Sequence, residues 1–127
     1  MYQFYEPNPA RSGAIDCAVR AIAKALDISW EKAYVMLSVN GFLMGDVPNA
    51  NYVIGSVLRE NGFKRKNLPE ECPDCFTVAD FCERFPQGVY VVFSQDHVAT
   101  VVDGRLYDSW DSSNKIPLYF WSKEDKT

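Results

Sequence analysis

A single histidine, His97, limits the general-base chemistry open to this chain. The residue best placed to need it is Cys17, in the run Asp16-Cys17-Ala18-Val19-Arg20-Ala21-Ile22-Ala23-Lys24-Ala25-Leu26. A thiol attacks a carbonyl only as the thiolate. A free cysteine titrates near 8.5, and the field at a helix amino terminus pulls that value down. Asp16 has the chemistry of an N-cap, which puts Cys17 at the first helical position. The charge of Asp16 opposes a thiolate, so a further cation is needed, and the imidazolium of His97 is the natural source. The competing reading of Cys17 is a small buried apolar residue at a helix start.

The third member comes from a hairpin. Asp103-Gly104 is the strongest two-residue turn signal in the chain. It sets Val102 opposite Arg105. His97 then lies opposite Trp110, with Asp108 diagonal to it on the same face and within side-chain reach. Asp108 is expected to orient His97 and stabilise its charged form. Trp110 is expected to shield that hydrogen bond from water. Asp111 falls on the other face, and a register shift or bulge would move the role to it. Alternatively, Asp108 simply opens a solvated loop running to Asn114.

The elements that must position these residues segregate along the chain. Residues 1–15 hold Pro7, Pro9 and Gly13 and read as a short extended segment and a loop. The helix from Cys17 to about Leu26 is apolar over most of its circumference, so it is central and buried, with Arg20 and Lys24 as its one polar stripe. Ser29 caps a second helix to about Val39, closed by Asn40-Gly41. Residues 41–49 form a loop, and a third helix spans Asn51 to Glu60, closed by Asn61-Gly62 in the same left-handed way. Residues 63–75 read as irregular. Thr77 and Asp80 form a capping box for a short helix that ends before Pro86. Four strands follow, at 88–93, 97–102, 105–110 and 116–121. Helices in the first two-thirds and an antiparallel sheet in the last third make the class α+β, as one domain over residues 1–127.

Composition narrows the partners. A net charge of −4 and a pI near 4.9 argue against nucleic-acid binding. The start of the chain lacks a basic n-region and an apolar h-region, and no apolar run is long enough to span a membrane. A cytoplasmic protein with reduced thiols is expected, so its four cysteines are not a disulfide framework. Cys72-x2-Cys75 with Cys82 and His97 offers a zinc ligand set, but only one close pair is present and zinc would take His97 from catalysis. A redox role for the pair is disfavoured by its irregular surroundings. Cys72, Cys75 and Cys82 therefore read as ordinary reduced cysteines, and no metal or organic cofactor is required.

A nucleophilic cysteine opening a central helix, then a histidine opening a strand, then an aspartate after the next strand, resembles the papain-like cysteine peptidase fold. More narrowly, Asp16-Cys17-Ala18-Val19-Arg20-Ala21, Ser29-Trp30, His97-Val98-Ala99 and Tyr107-Asp108-Ser109-Trp110-Asp111 resemble small papain-like proteins of bacteriophages and bacteria. Those are related in layout to double-glycine (bacteriocin-leader) peptidases and staphopain-type enzymes. The resemblance covers roughly residues 8–121. It implies catalytic roles for Cys17, His97 and Asp108 and a peptide or protein substrate. It also implies an oxyanion-binding glutamine six residues before the nucleophile, where this chain has Arg11. Arg11, Asn8 or Gln3 is expected to stand in, beside the backbone N–H of Cys17. The expected activity is acyl hydrolysis as a peptidase, isopeptidase or amidase. The alternatives are an inactive or weakly active binding module and an acyltransferase with an amine acceptor. The pocket walls are expected from the 41–49 and 63–75 loops.

Overall fold

Four alanines and two β-branched residues between Cys17 and Leu26 leave one helix with almost no face for solvent, and it runs over those ten residues as α1. Its side chains from Ala18 to Ala23 are all buried, Arg20 among them. The polar stripe expected on this helix is therefore half wrong. Arg20 points into the protein, and Lys24 lays its ammonium 3.9 Å from the ring centre of Tyr107. Asp16 precedes the helix but makes no side-chain cap, because its carboxylate is taken by other partners described below.

The computed structural model describes residues 1–11, 14–68 and 76–123. After α1 come α2 (Trp30–Met44) and α3 (Asn51–Glu60). Ser29 caps α2 by accepting from the Lys32 N–H at 3.1 Å. The helix does not stop at Asn40-Gly41. Gly41 is buried inside it, where an added Cβ would lie 2.9 Å from the Asp46 carbonyl. Its glycine permits a close approach of the following loop, and the left-handed terminator is Gly45, at φ 70°. α3 has its expected bounds. At its end only Gly62 is left-handed, at φ 89°, whereas Asn61 keeps φ −110°.

The sheet corrects the sequence reading twice. Phe63–Asn67 forms a strand, β2, where irregular chain was expected. Phe63 is buried while Lys64, Arg65 and Lys66 are exposed, a charged pattern that suits a strand at a sheet edge. At the opposite edge Tyr2–Phe4 forms β1 and pairs in parallel with β5 (Arg105–Asp108), so the sheet is mixed rather than antiparallel. The remaining strands are β3 (Val89–Ser94), β4 (Val98–Val102) and β6 (Pro117–Lys123), in the order β1-β5-β4-β3-β6-β2. The pairing of β4 with β5 sets Val102 opposite Arg105, as the turn requires. Asp103 and Gly104 both take positive φ, 50° and 76°, the backbone of a tight primed turn.

Helices cover both faces. α1, α2 and α3 pack on one side with Val91, Phe93, Val98 and Trp121. The short α4 (Val78–Arg84) packs on the other with Val92, Val101, Leu106 and Phe120. The capping box of α4 is present in full, with Thr77 and Asp80 each bonded to the other's backbone N–H. The described residues thus form an α+β structure with four helices and a six-stranded sheet. None of their helices is long and apolar enough to cross a membrane.

Candidate active site

Cys17 is the first residue of α1, at the end where backbone N–H groups lack helical acceptors. α1 lies against β4, and His97 directly precedes that strand. The thiol and the imidazole line the same two recesses, near enough to influence each other's charge, and the Val98 N–H favours the charged sulfur. One side of the ring is occupied: Nε2 lies 2.6 Å from Asp108 Oδ2. That leaves Nδ1 for Cys17. The ring of Trp110 sits 4.9 Å from the imidazole, centre to centre, and covers it.

These neighbours set the protonation states. Burial raises the Cys17 thiol, but the His97 side chain, the Val98 N–H and the charges of His97 and Arg20 outweigh it and bring the thiol below its ordinary value. Burial disfavours the imidazolium, yet Asp108 and Cys17 carry His97 up to about 9. Asp108 is also driven down: burial opposes its charge, and His97, Ser112 and Arg20 more than compensate. The arrangement favours the thiolate and the imidazolium over what either group would show alone.

Asp108 is fully buried, so its charge has to be met entirely by protein donors. Besides His97, the Ser112 hydroxyl donates to Oδ2 at 2.6 Å and the Ser109 N–H to Oδ1 at 2.8 Å. Arg20 donates from Nε at 3.0 Å and lies 2.9 Å away through Nη2. The same guanidinium holds Asp16 at 2.6 Å through Nη1, and the Trp30 indole N–H takes the other Asp16 oxygen at 2.9 Å. Arg20 therefore pairs both with the acid beside Cys17 and with the acid behind His97. No buried side-chain polar atom of the described residues lacks a partner.

The residues singled out from sequence divide cleanly. Cys17, His97, Asp108 and Trp110 come together. Asp111 does not take the orienting role: its carboxylate accepts from the Ser113 N–H at 3.1 Å, outside the triad. The three oxyanion candidates are elsewhere. Asn8 is buried and accepts from the Ala10 N–H at 3.0 Å, in an apolar recess with Val19 and Trp30. Gln3 sits exposed on β1 and donates to the Phe4 carbonyl at 3.3 Å. Arg11 is exposed with φ 47°. None of the three lines either recess that meets at Cys17 and His97. One of these, of about 230 Å³, presents the amides of Asn49, Asn51 and Gln95. The other presents Glu6, Ser109 and Trp110.

Sequence reasoning missed Arg20 because its partner Asp108 is distant in the chain, and missed Ser112, four residues from Asp108, because the loop that folds it back carries no periodic signal. It missed Gln95 although two residues before His97 was a readable position. Of the expected walls, the 41–49 loop supplies Asn49, while the described part of 63–75 lines neither recess. Cys72 and Cys75 lie outside the described residues. Cys82 is on α4, against the other sheet face, and Gly104 at the hairpin turn approaches its carbonyl. His97 is at the opposite end of that hairpin, so a ligand set joining the two is not formed. Burial raises the Cys82 thiol above its ordinary value.

Comparison of the chain with protein-family models, curated proteins and solved structures found no match.

Proposed function

We propose that the protein is a cysteine-dependent acyl hydrolase, papain-like in arrangement, that cleaves an amide bond in a peptide or protein. One observation carries this reading: the only imidazole in the chain is bonded at 2.6 Å to a fully buried aspartate and shares a recess with a cysteine at a helix start, whose thiol it lowers. A structural cysteine needs neither partner.

The sulfur of Cys17 forms a bond to the carbonyl carbon, and the carbonyl electrons move to oxygen. The Cys17 N–H at the start of α1 supports that oxyanion, and the amides lining the same recess offer the second donor. As the intermediate collapses, the C–N bond breaks and His97 gives its proton to the departing amine. Water then attacks the thioester. His97 takes its proton, and the thiolate leaves as the acid product forms. Asp108 stays ionised throughout and holds the ring.

Two charges define the pH range. Hydrolysis needs the thiolate, present above the lowered value of Cys17, and the imidazolium, lost as pH rises through about 9. Turnover should therefore fall on the alkaline side near pH 9 and on the acid side as Cys17 takes a proton. The decisive assay is hydrolysis of a fluorogenic peptide panel by wild type and Cys17→Ala. Loss of all turnover in the variant, with wild-type folding, is expected. Equal turnover in the two would sink the reading.

A second reading is a papain-like binding module without turnover. The position of Asn8, Arg11 and Gln3 outside both recesses favours it. Peptide capture by the wild type with no cleaved product on the panel would select it.

A further inference from the structure

Two arginines, Arg59 and Arg65, border a recess of about 290 Å³ between α3 and the β2–β6 edge of the sheet. Alternation along β6 turns Tyr119 and Trp121 to the same face, toward α3. The register sets Arg65 opposite Trp121, and its guanidinium carbon lies 3.9 Å from the Tyr119 ring centre. Arg59 reaches in from α3, 5.4 Å from the Trp121 ring centre. The floor is kept open by Gly55, where an added Cβ would lie 2.9 Å from Trp121 Cζ2. Stacking of this kind holds a guanidinium by its flat side and leaves its N–H edges for a ligand.

Neither arginine makes an ion pair with a carboxylate of the described residues. Two like charges share one small recess in a chain of net charge −4. An edge strand carries basic residues to discourage pairing with other chains, which accounts for Lys64 and Lys66. It does not account for Arg65, which turns inward beside a second arginine. Forked donors beside aromatic faces match a carboxylate, bidentate on the guanidinium.

Asn51 lines this recess and also the recess that holds Cys17 and His97. We propose that the Arg59–Arg65 recess binds a carboxylate carried by the peptide that lies in the Cys17 cleft, and so selects acidic substrates. This rests on the acyl hydrolase reading for its substrate, but not for its binding. The carboxylate is either an aspartate or glutamate side chain or the peptide's own carboxyl terminus.

The test uses full-length Cys17→Ala protein and two randomised octapeptide libraries, one with amidated and one with free carboxyl termini. Bound peptides are identified by mass spectrometry. Enrichment of Asp or Glu from the amidated library marks the side-chain source, and retention of the free-acid library alone marks the terminal source. Either outcome supports the proposal if Arg59→Gln/Arg65→Gln, introduced into the same protein, weakens capture at least tenfold. Both arginines are exposed, so the double variant should keep its thermal midpoint. No preference for carboxylates, preference unchanged in the double variant, or retention of inorganic phosphate in place of peptide would each overturn it. Capture with the expected preference but no cleavage by wild type would remove the hydrolase reading and leave this one standing. Cleavage without acidic preference would do the reverse.

Discussion

Each face of the sheet carries a cysteine beside a helix, and the two have opposite properties. Cys82 on α4 sits among Phe81, Val92 and Phe120, and burial raises its thiol. Cys17 on α1 is also drawn out of water, and burial raises it too, but the neighbouring His97 imidazole, with the Val98 N–H and Arg20, reverses the result. A low-pKa thiol is therefore not a matter of where a cysteine is packed. It is made by a cation that burial alone would not allow, which in turn needs a buried anion behind it.

The strongest way to break the contrast is His97→Ala. With the imidazole gone, Cys17 should behave as an ordinary thiol. Its alkylation by iodoacetamide at pH 6 should then fall clearly, since the main neighbour that lowers the thiol is gone. Cys82 should stay slow in both proteins. Peptide mapping after a timed pulse reads both sites, and an unchanged Cys17 rate would show that the helix end alone activates the thiol.

Arg20→Met tests the anion side. It leaves Asp16 and Asp108 buried with fewer donors, a loss of about 3–5 kcal/mol in stability by analogy with broken buried pairs. The sign with pH is fixed by Asp108, whose value is held down in the folded protein. A depressed carboxyl stabilises above its unfolded value and ceases to do so as pH falls through its folded one. Without Arg20 the folded value rises, so that contribution shrinks and acid unfolding should begin at higher pH. Chemical denaturation across pH 3–8 measures this, and an unshifted acid limb would mean Arg20 only fills space.

On the other face, Thr77→Ala removes one half of a capping box. It should cost about 1 kcal/mol and leave Cys17 alkylation untouched. A changed Cys17 rate would mean that the two faces are coupled through the sheet.

The legible parts of the molecule were the local ones. Asp103-Gly104 demands positive φ at both positions, so the register that brings Asp108 to His97 followed from turn chemistry alone. Thr77 and Asp80 are neighbours on one turn, and their box was readable for the same reason. What escaped was non-local. Arg20 looked like surface charge because its second partner lies 88 positions away. Lys64-Arg65-Lys66 looked like a loop because a strand with charge on both faces lacks period-2 hydrophobicity, and its pairing with β6 supplies the structure instead. Gly41 was misread as a stop signal because the same residue type serves chain termination and close packing.

β1 is three residues long, yet it closes the sheet beside the triad. The Tyr5 N–H donates to the Asp108 carbonyl at 2.8 Å, and the Tyr2 hydroxyl reaches the same oxygen at 3.1 Å. The partner of this strand is synthesised 104 residues later, with Tyr2 in register with Leu106. At about 5–20 residues per second, a ribosome separates the two by roughly 5–20 s. A nascent chain thus exposes Cys17 well before His97 or Asp108 exists. The neighbours that lower the Cys17 thiol are complete only after residue 108 has been made, so until then the sulfur behaves as an ordinary thiol.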